Sequence, residues 1–208
     1  MALLHRATLQ PTKIELLAGW LPAQPWHGDP AGALERVASC RFDDPAGEVG
    51  IETILVRTGA GPVHHVPLTY RGAPLPGGDE WLIGTAQHSV LGRRWVYDAC
   101  GDPVYAAVLA DAIVTGAGQA VAYLDVDGRP ERRESDLTVT GSGVAGAEPP
   151  TVTAIDRVVA GDPTLVVTDS IALAVVRRPG GDADVGEATL TGAWADRPAV
   201  VLAYVTRR

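Results

Sequence analysis

The chain has 208 residues, of which 46% are hydrophobic and 20% charged, with 24 Gly and 16 Pro. It is long enough to bury a core without staples, so fibres and disulfide-stapled miniproteins are excluded. A net charge of −8 opposes binding to nucleic acid or to anionic membranes, because both need clustered cations, and we expect neither partner. Lys13 is the single lysine beside 16 arginines, and asparagine is absent, which removes Cys-His-Asn proteolysis.

The N-terminal segment and the two cysteines indicate the cellular compartment in which the protein is expected. Residues 1–10 contain no apolar run of signal-peptide length, and no stretch approaches the roughly 18 apolar residues of a membrane span. We therefore expect a cytoplasmic protein. Cys40 and Cys100 fit no metal or redox spacing, which predicts two buried thiols, with a disulfide as the alternative.

The first half of the chain shows two helix signals around a series of short apolar segments. Thr12 and Glu15 have the spacing of a capping box, which predicts a short helix ending before Pro22. Asp102 as N-cap, Pro103 in the first turn and Gly116 at the end predict a second helix. Between them we predict an antiparallel meander with strands at Leu34–Phe42, Val49–Arg57, Val63–Tyr70, Glu80–Thr85 and Arg94–Ala99.

The second half is also rich in strand signals. Residues 120–126 and 136–140 flank Asp127-Gly128, which predicts a hairpin whose return side, with Pro130, is a long mobile loop. Gly141–Pro150 has the composition of a linker. Further strands are predicted at Val152–Val159, Leu165–Val167, Ile171–Arg177, Ala188–Trp194 and Val200–Val205. The fold class is α+β, mostly antiparallel sheet with few helices.

Two pairs of residues have a spacing that suggests metal binding. His64 and His65 are adjacent in a strand and would point to opposite faces, so we expect one inward and one solvated histidine. Asp125 and Asp127 would share a strand face, but Asp127 also belongs to a turn signal, which is the interpretation adopted. We predict no metal site.

Two motifs suggest catalysis but lack the necessary context. His88 and Ser89 with Asp98 could form a hydrolase triad, yet no strand-turn-helix nucleophile elbow surrounds the serine. Trp26-His27-Gly28-Asp29 contains the His-Gly-Asp sequence of small-molecule kinase loops, but no nucleotide-binding sheet precedes it and no asparagine follows. We interpret that motif as a polar turn after Pro25.

Several short segments are informative because of the order in which they occur along the chain. They are Trp20-Leu21-Pro22, Gln24-Pro25-Trp26, His65-Val66-Pro67-Leu68-Thr69-Tyr70-Arg71, Leu82-Ile83-Gly84 and Gly92-Arg93-Arg94-Trp95-Val96-Tyr97-Asp98-Ala99. Together they resemble the N-terminal cap of the maltokinase family, the actinobacterial kinases that phosphorylate maltose, and of related aminosugar kinases. The resemblance implies a curved antiparallel sheet with a few flanking helices.

The segments Ile155 to Val159, Thr164 to Val167 and Ile171 to Arg178 resemble the next part of such kinases, which covers ATP with a strand, a phosphate loop and a hairpin. The resemblance therefore divides the chain into a cap-like domain (1–118), a hairpin and linker (119–150) and a second small β-rich segment similar to the kinase intermediate, or N-lobe, region (151–208).

The chain departs from the family where phosphate would bind. Ala174 stands where the resemblance implies a lysine, and Lys13 lies on a distant helix. In the shortened loop Gly161-Asp162-Pro163-Thr164, Asp162 would repel phosphate and Pro163 removes a cradling N–H. The chain ends at Arg208, near where the family's catalytic lobe would begin. We therefore expect no catalytic residue, no nucleotide site and no cofactor.

The resemblance implies a non-catalytic binding or regulatory partner in α-glucan or trehalose metabolism. A sheet built to be covered by another lobe would expose apolar surface and take a protein partner or a homodimer. Trp81, Trp95 and Trp194 are the candidate partner or sugar contacts, with a core role as the alternative for each. Two other functions stay open: half of a split or degenerate ATP-dependent sugar kinase, and a carbohydrate-binding module for an α-glucan or another sugar.

Overall fold

A computed structural model describes residues 2–4, 8–126, 129–181, 188–195 and 197–207. Two α-helices lie in this part of the chain, α1 (Lys13–Trp20) and α2 (Pro103–Thr115), with 3₁₀ turns at Leu21–Ala23, Asp79–Trp81 and Ala99–Gly101. The strands are β1 (Ala2–Leu4), β2 (Leu9–Gln10), β3 (Leu34–Phe42), β4 (Gly50–Thr58), β5 (Val63–Arg71), β6 (Leu82–His88), β7 (Gly92–Asp98), β8 (Ala122–Val126), β9 (Arg129–Arg133), β10 (Leu137–Gly141), β11 (Ile155–Val159), β12 (Thr164–Thr168), β13 (Ala172–Val175), β14 (Thr189–Trp194) and β15 (Val200–Thr206).

The first large sheet is the predicted meander. Its strands run in the order β2-β6-β7-β5-β4-β3 and every neighbouring pair is antiparallel. The sheet is a curled half-barrel with two short helices and a second β-rich sheet beside it, so the α+β class is confirmed. The capping box of α1 is present, because the backbone N–H of Glu15 donates to the Thr12 hydroxyl and the Thr12 N–H donates to the Glu15 carboxylate.

Elements of this chain cover both faces of the first sheet. Helix α1 and the turn after it cover one face, where the buried apolar residues are Leu17, Leu21, Trp26, Ile54, Val56, Val66, Leu68 and Val96. Helix α2 and the second large sheet cover the other, where the contributors include Cys40, Ile51, Leu55, Leu109, Ile113, Val166, Leu173 and Leu202. The bare apolar face expected from the sequence is therefore filled from within the described chain.

Helix α2 has the predicted ends. The carboxylate of Asp102 accepts the N–H of Val104 at 3.0 Å, and Gly116 ends the helix with φ +72°. The predicted linker packs against this helix: a Cβ on Gly141 would lie 1.9 Å from the carbonyl oxygen of Ala112. Close backbone approach therefore requires glycine at the start of this segment.

The second large sheet has the order β10-β14-β15-β13-β12-β11, and its pairing corrects the predicted hairpin. Strand β10 pairs with β14 and not with β8. Strand β8 pairs instead with β9, which forms where a mobile loop was expected, and β1 adds to β8 in parallel. Pro130 is tolerated because β9 is the edge strand of this small sheet, and the predicted turn residues 127–128 lie outside the described residues.

One hydrophobic cluster joins residues of β3, β4, α2, β10, β12, β13, β14 and β15. Core residues therefore come from the cap-like range, the hairpin and linker range and the final β-rich range. The division of the sequence at 118 and 150 stays a prediction.

Candidate functional site

The loop that resembles a phosphate loop is closed onto the chain that follows β13. One carboxylate oxygen of Asp162 accepts the backbone N–H of Arg177 at 2.8 Å, and the other accepts the side chain of Arg178 at 2.8 Å. The Thr164 hydroxyl donates to the carbonyl of Gly161 at 3.0 Å and accepts from the Arg177 side chain at 2.8 Å. Asp162 and Thr164, in the loop that the resemblance aligns with a phosphate loop, are thus bonded to Arg177 and Arg178.

Arg177 is the centre of a buried polar junction between the two large sheets. Its side chain is 1% exposed, and its guanidinium donates to the carboxylate of Asp98 at 2.6 Å and to the sulfur of Cys100 at 3.1 Å. The guanidinium also lies over the ring of Trp26, 4.8 Å from the centroid. Burial opposes the positive charge, but attraction by Asp98 raises the pKa of Arg177 above its ordinary value.

His65 joins β5 to the same junction through its backbone and its ring. Its backbone N–H donates to the carbonyl of Arg177 at 2.8 Å, and its Nδ1 lies 3.0 Å from the carbonyl oxygen of Val176. Because a carbonyl only accepts, Nδ1 must carry the proton. Burial, and then the charge of Arg177, lower the pKa of His65 to about 4, so the ring is neutral at neutral pH.

His64 lies on the opposite face of β5, so the prediction of one solvated histidine is wrong. Its ring is fully buried between Trp26, at 5.7 Å between centroids, and His27, at 5.1 Å. Burial, and then electrostatic interaction with His27 and Arg178, lower the pKa of His64. The sheet is covered on both sides at this point, which is why both histidines are inside. The described residues contain no group of three or more side chains suited to a metal.

The Trp26-His27-Gly28-Asp29 motif is a turn, as predicted, but it is not wholly polar. Trp26 and His27 are buried, and the Nε2 atom of His27 lies 3.4 Å from the Thr58 hydroxyl. Gly28 and Asp29 are exposed and have positive φ angles of 73° and 49°. The motif therefore places the Trp26 ring against Arg177 and the His27 ring against His64.

The structure does not assemble the hydrolase triad suggested by sequence. The Ser89 hydroxyl accepts a backbone N–H from Thr8, and His88 accepts the N–H groups of Val90 and Leu91. Asp98 lies at the far end of β7, paired with Arg177. Of the proposed aspartate pair, Asp127 lies outside the described residues and nothing is described of the side chain of Asp125.

Ala174 and the cysteines are buried. Ala174 sits in β13 opposite Leu165 and Tyr204, in a small apolar cluster with Val176. Cys40 and Cys100 are free thiols, as predicted, and burial raises the pKa of each. Neither thiol is activated as a nucleophile.

The three candidate tryptophans lie in different environments. Trp194 is buried in the main core, where it has the core role given as its alternative. Trp81 is half-buried with its ring against the backbone of Gly101, where a Cβ would come within 2.0 Å of the indole. Trp95 is half-buried on β7, and the guanidinium of Arg93 lies 4.9 Å from its ring centroid.

Sequence reasoning missed a second polar cluster on the α1 face. Lys13, set aside as distant from the phosphate loop, donates to both carboxylate oxygens of the buried Glu52 at 2.7 and 2.8 Å. The Tyr70 hydroxyl donates to the same carboxylate at 2.8 Å. The sequence signal for this cluster was that Lys13 is the single lysine of the chain. Its partner is 39 residues away, so spacing could not have identified it.

A surface cleft of about 260 Å³ beside β9 and β10 includes none of the predicted site residues. Its lining residues are Gln119, Ala120, Val121, Arg132, Arg133, Glu134, Ser135 and Thr138. In the part of the chain that the structure describes, no helix is both long and apolar enough to cross a membrane.

A protein-family model matches part of the chain. Residues 20–102 match the family model described as the maltokinase N-terminal cap domain, which spans the end of α1, strands β3 to β7 and the N-cap of α2. The resemblance of the first part of the chain is therefore confirmed. No curated protein matches the chain.

Proposed function

We propose, from the match of residues 20–102 to the maltokinase N-terminal cap domain, that the protein is a non-catalytic, cytoplasmic binding or regulatory partner in α-glucan or trehalose metabolism. The observation that carries the proposal is the Arg177 junction. Residues that resemble a nucleotide phosphate site are used there to attach the second large sheet to the cap sheet.

The charges at the junction argue against phosphoryl transfer. Transfer depends on positioning and on neutralising phosphate charge with free cations and N–H donors. Arg177 is buried and already neutralised by Asp98, and the carboxylate of Asp162 holds the backbone of residue 177 and the side chain of Arg178. Opening this loop for a nucleotide would break the contacts of Asp162 with Arg177 and Arg178 and would take the Thr164 hydroxyl away from the buried Arg177 guanidinium, which would lose a hydrogen-bond acceptor.

Ala174 supports the same proposal. Its side chain lies in an apolar cluster with Val176 and Tyr204, so a cation at this position would have to be buried among apolar groups. The part of the sheet where the resemblance implies a phosphate-binding lysine serves here as core.

A protein partner or a second copy is the other part of the proposal. Two adjacent apolar side chains are well exposed at the tip of the β6–β7 hairpin, Val90 at 56% and Leu91 at 50%. The tip is held in shape, because His88 accepts both of their backbone N–H groups and the Arg94 side chain donates to the Leu91 carbonyl at 2.7 Å. Preorganised apolar groups of this kind favour a protein contact.

Titration calorimetry of the purified chain tests the non-catalytic proposal. Mg-ATP and maltose are titrated separately and together, with an ATP-binding sugar kinase as positive control in the same buffer. We expect no heat of binding from Mg-ATP and no turnover with maltose. Saturable ATP binding by the chain alone would overturn the proposal, and phosphorylation that begins only after a separate catalytic lobe is added would favour a split kinase.

A further inference from the structure

A segment of irregular chain covers His64 on the α1 face of the first sheet. It comprises residues 24–33, which lie between the 3₁₀ turn Leu21–Ala23 and strand β3, and we call it the strap. Within the strap only Trp26 and His27 are buried. Both of their rings lie against the His64 ring, at 5.7 and 5.1 Å between centroids. The packing of the strap therefore depends on the state of one histidine.

Hydrogen bonds contribute little to holding the strap closed. In the part of the chain that the structure describes, residues 25–32 make a single hydrogen bond to the sheet, between the Nε2 atom of His27 and the Thr58 hydroxyl. Its length of 3.4 Å is greater than that of a usual hydrogen bond. The strap is bonded more closely only at its two ends, through the backbone of Gln24 and of Ala33. Packing of the two buried rings therefore decides whether the strap is open or closed.

The closed strap leaves polar atoms buried without partners. The His64 ring is fully buried, and neither of its nitrogens has a hydrogen-bond partner among the described residues. A neutral imidazole carries one donor and one acceptor, so both capacities of His64 are unused. The Nδ1 atom of His27 is buried and unpartnered as well. Because unsatisfied buried polar groups cost free energy, the closed state is penalised at this point, and opening would return all three nitrogens to water.

The charged groups that face His64 oppose a further positive charge in the closed state. They are His27 from the strap, and Arg178 and Asp162 from the loops of the second large sheet, while β4 places the apolar Val56 opposite the ring. The carboxylate of Asp162 is already shared, because it accepts the side chain of Arg178 at 2.8 Å. Burial, and then interaction with His27 and Arg178, lower the pKa of the closed His64 ring, although the His27 backbone and Asp162 act in the opposite direction.

A proton is the cation that this group of residues can take, since the described residues offer no set of three ligands for a metal. We propose that protonation of His64 opens the strap, so that residues 24–33 form an acid-sensitive lid over this end of the first sheet. Once the strap has opened, the His64 ring lies in water and takes a proton near its ordinary pKa of about 6.5. The closed state binds that proton less readily, so the equilibrium shifts toward the open state as the pH falls below this value.

This inference goes beyond the proposed function and does not depend on it, since strap opening requires neither the presence nor the absence of a nucleotide. Opening would uncover the Trp26 ring and the side of the Arg177 guanidinium that lies over it. The surface at this end of the sheet would therefore change with pH.

The test is amide hydrogen exchange of the full chain between pH 7.5 and 5. The N–H of His27, which donates to the Gln24 carbonyl at 3.1 Å, reports opening of the strap, and the N–H of Leu55 in the middle of β4 reports unfolding of the sheet. After correction for the intrinsic exchange rate, protection of His27 should be lower than that of Leu55 at every pH. It should also fall by up to about tenfold for each pH unit below 6.5, as expected for uptake of one proton.

Two variants assign the proton. His64→Phe keeps a buried ring but cannot be protonated, so protection of His27 should no longer depend on pH. The matched control is His65→Gln, a change at the neighbouring histidine on the opposite face, which should leave the pH dependence of His27 in place. A pH dependence of His27 that survives His64→Phe would overturn the proposal.

A second readout covers the case in which His64→Phe fails to fold. In the unmodified chain, the Cε1–H resonance of His64 should titrate over the same pH range in which His27 loses protection. A His64 resonance that does not titrate there, or His27 protection that stays constant from pH 7.5 to 5, would contradict the proposal. Equal protection of His27 and Leu55 at every pH would do the same, because the strap would then open only when the sheet unfolds.

Discussion

Two buried carboxylates of the first sheet, Glu52 and Asp98, each pair with a cation, but the two cations differ in how exposed they are to solvent. Glu52 faces α1, and Lys13 reaches it from a helix with its side chain still 37% exposed. Asp98 lies at the junction with the second sheet, and its partner Arg177 is as buried as the carboxylate itself. Water can reach the Lys13–Glu52 ion pair but not the Arg177–Asp98 ion pair. Breaking the two pairs should therefore change the free energy of unfolding by different amounts.

The largest expected effect comes from removing the carboxylate at the junction. Asp98→Ala leaves the guanidinium of Arg177 buried without a counter-charge, which should cost about 3–5 kcal/mol of unfolding free energy. Urea denaturation of the full chain measures it. The double variant Asp98→Ala with Arg177→Met should recover much of the loss, because it leaves no unpaired charge. If Asp98→Ala alone lowers the free energy of unfolding by less than about 1 kcal/mol, the Asp98–Arg177 pair is hydrated and does not differ from the Lys13–Glu52 pair.

Acid should weaken the junction before it weakens the α1 contact. His65 has a folded pKa of about 4, below the unfolded value of about 6.5, so the unfolded state binds more protons between these values. Stability should therefore fall by up to about 3 kcal/mol as the pH drops from 7 to 4. His64, whose pKa is also lowered, acts in the same direction; Asp162 and Arg178 face it with His27.

Glu52, the buried carboxylate that faces α1, loses its contribution to stability in a different pH range. Burial opposes ionisation of Glu52, but Lys13 and Arg41 lower its pKa below 4.5, so its contribution is lost only as the pH falls below that value. Urea unfolding at pH 7.5, 5.5, 4.5 and about 3.5, with His65→Gln beside the unmodified chain, separates the two windows, because only the lowest pH reaches the range in which Glu52 is protonated. A stability that stays flat between pH 7 and 5 would contradict a neutral, buried His65.

Lys13 provides a smaller test of the same contrast. Lys13→Met keeps most of the apolar stem and leaves Glu52 with Tyr70 as its remaining hydrogen-bond donor, which should cost roughly 1–2 kcal/mol. Lys13→Arg is the control, since it keeps a cation within reach of the carboxylate. The comparison fails if Lys13→Met costs as much as Asp98→Ala in the same denaturation assay.

Local sequence signals predicted the elements of this fold, and the long-range contacts lay beyond them. The capping box at Thr12, the N-cap at Asp102 and the end of α2 at Gly116 act over a few residues, so spacing was enough. The pairing of β10 with β14 joins residues about fifty positions apart, and the nearer partner β8 was the natural expectation. A signal within one segment does not determine which distant strand completes its sheet.

The candidate site divides in the same way, into features that local sequence signals predict and contacts between distant residues that they do not. The family resemblance marked Asp162 and Pro163 in the loop and Ala174 in the next strand as departures from a phosphate-binding site, because that judgement needs only the order of the segments and their residue types. It did not find Arg177 as the hub, since the partner Asp98 is 79 residues away and lies on the other sheet. It also predicted a solvated histidine at 64 or 65, because strand alternation says which face a residue takes and not whether that face is covered.

The smallest predicted effect concerns the helix that carries Lys13. Thr12→Ala removes the hydroxyl that accepts the Glu15 N–H at 3.2 Å and should cost about 1 kcal/mol, as for other N-caps. Because the cap also orients the first turn, Lys13 should hold Glu52 less well, so the costs of Thr12→Ala and Lys13→Met should sum to more than the double variant loses. Thr12→Ser is the control and should behave as the unmodified chain. If the two losses add fully, the first turn of α1 is positioned by packing on the sheet and not by its cap.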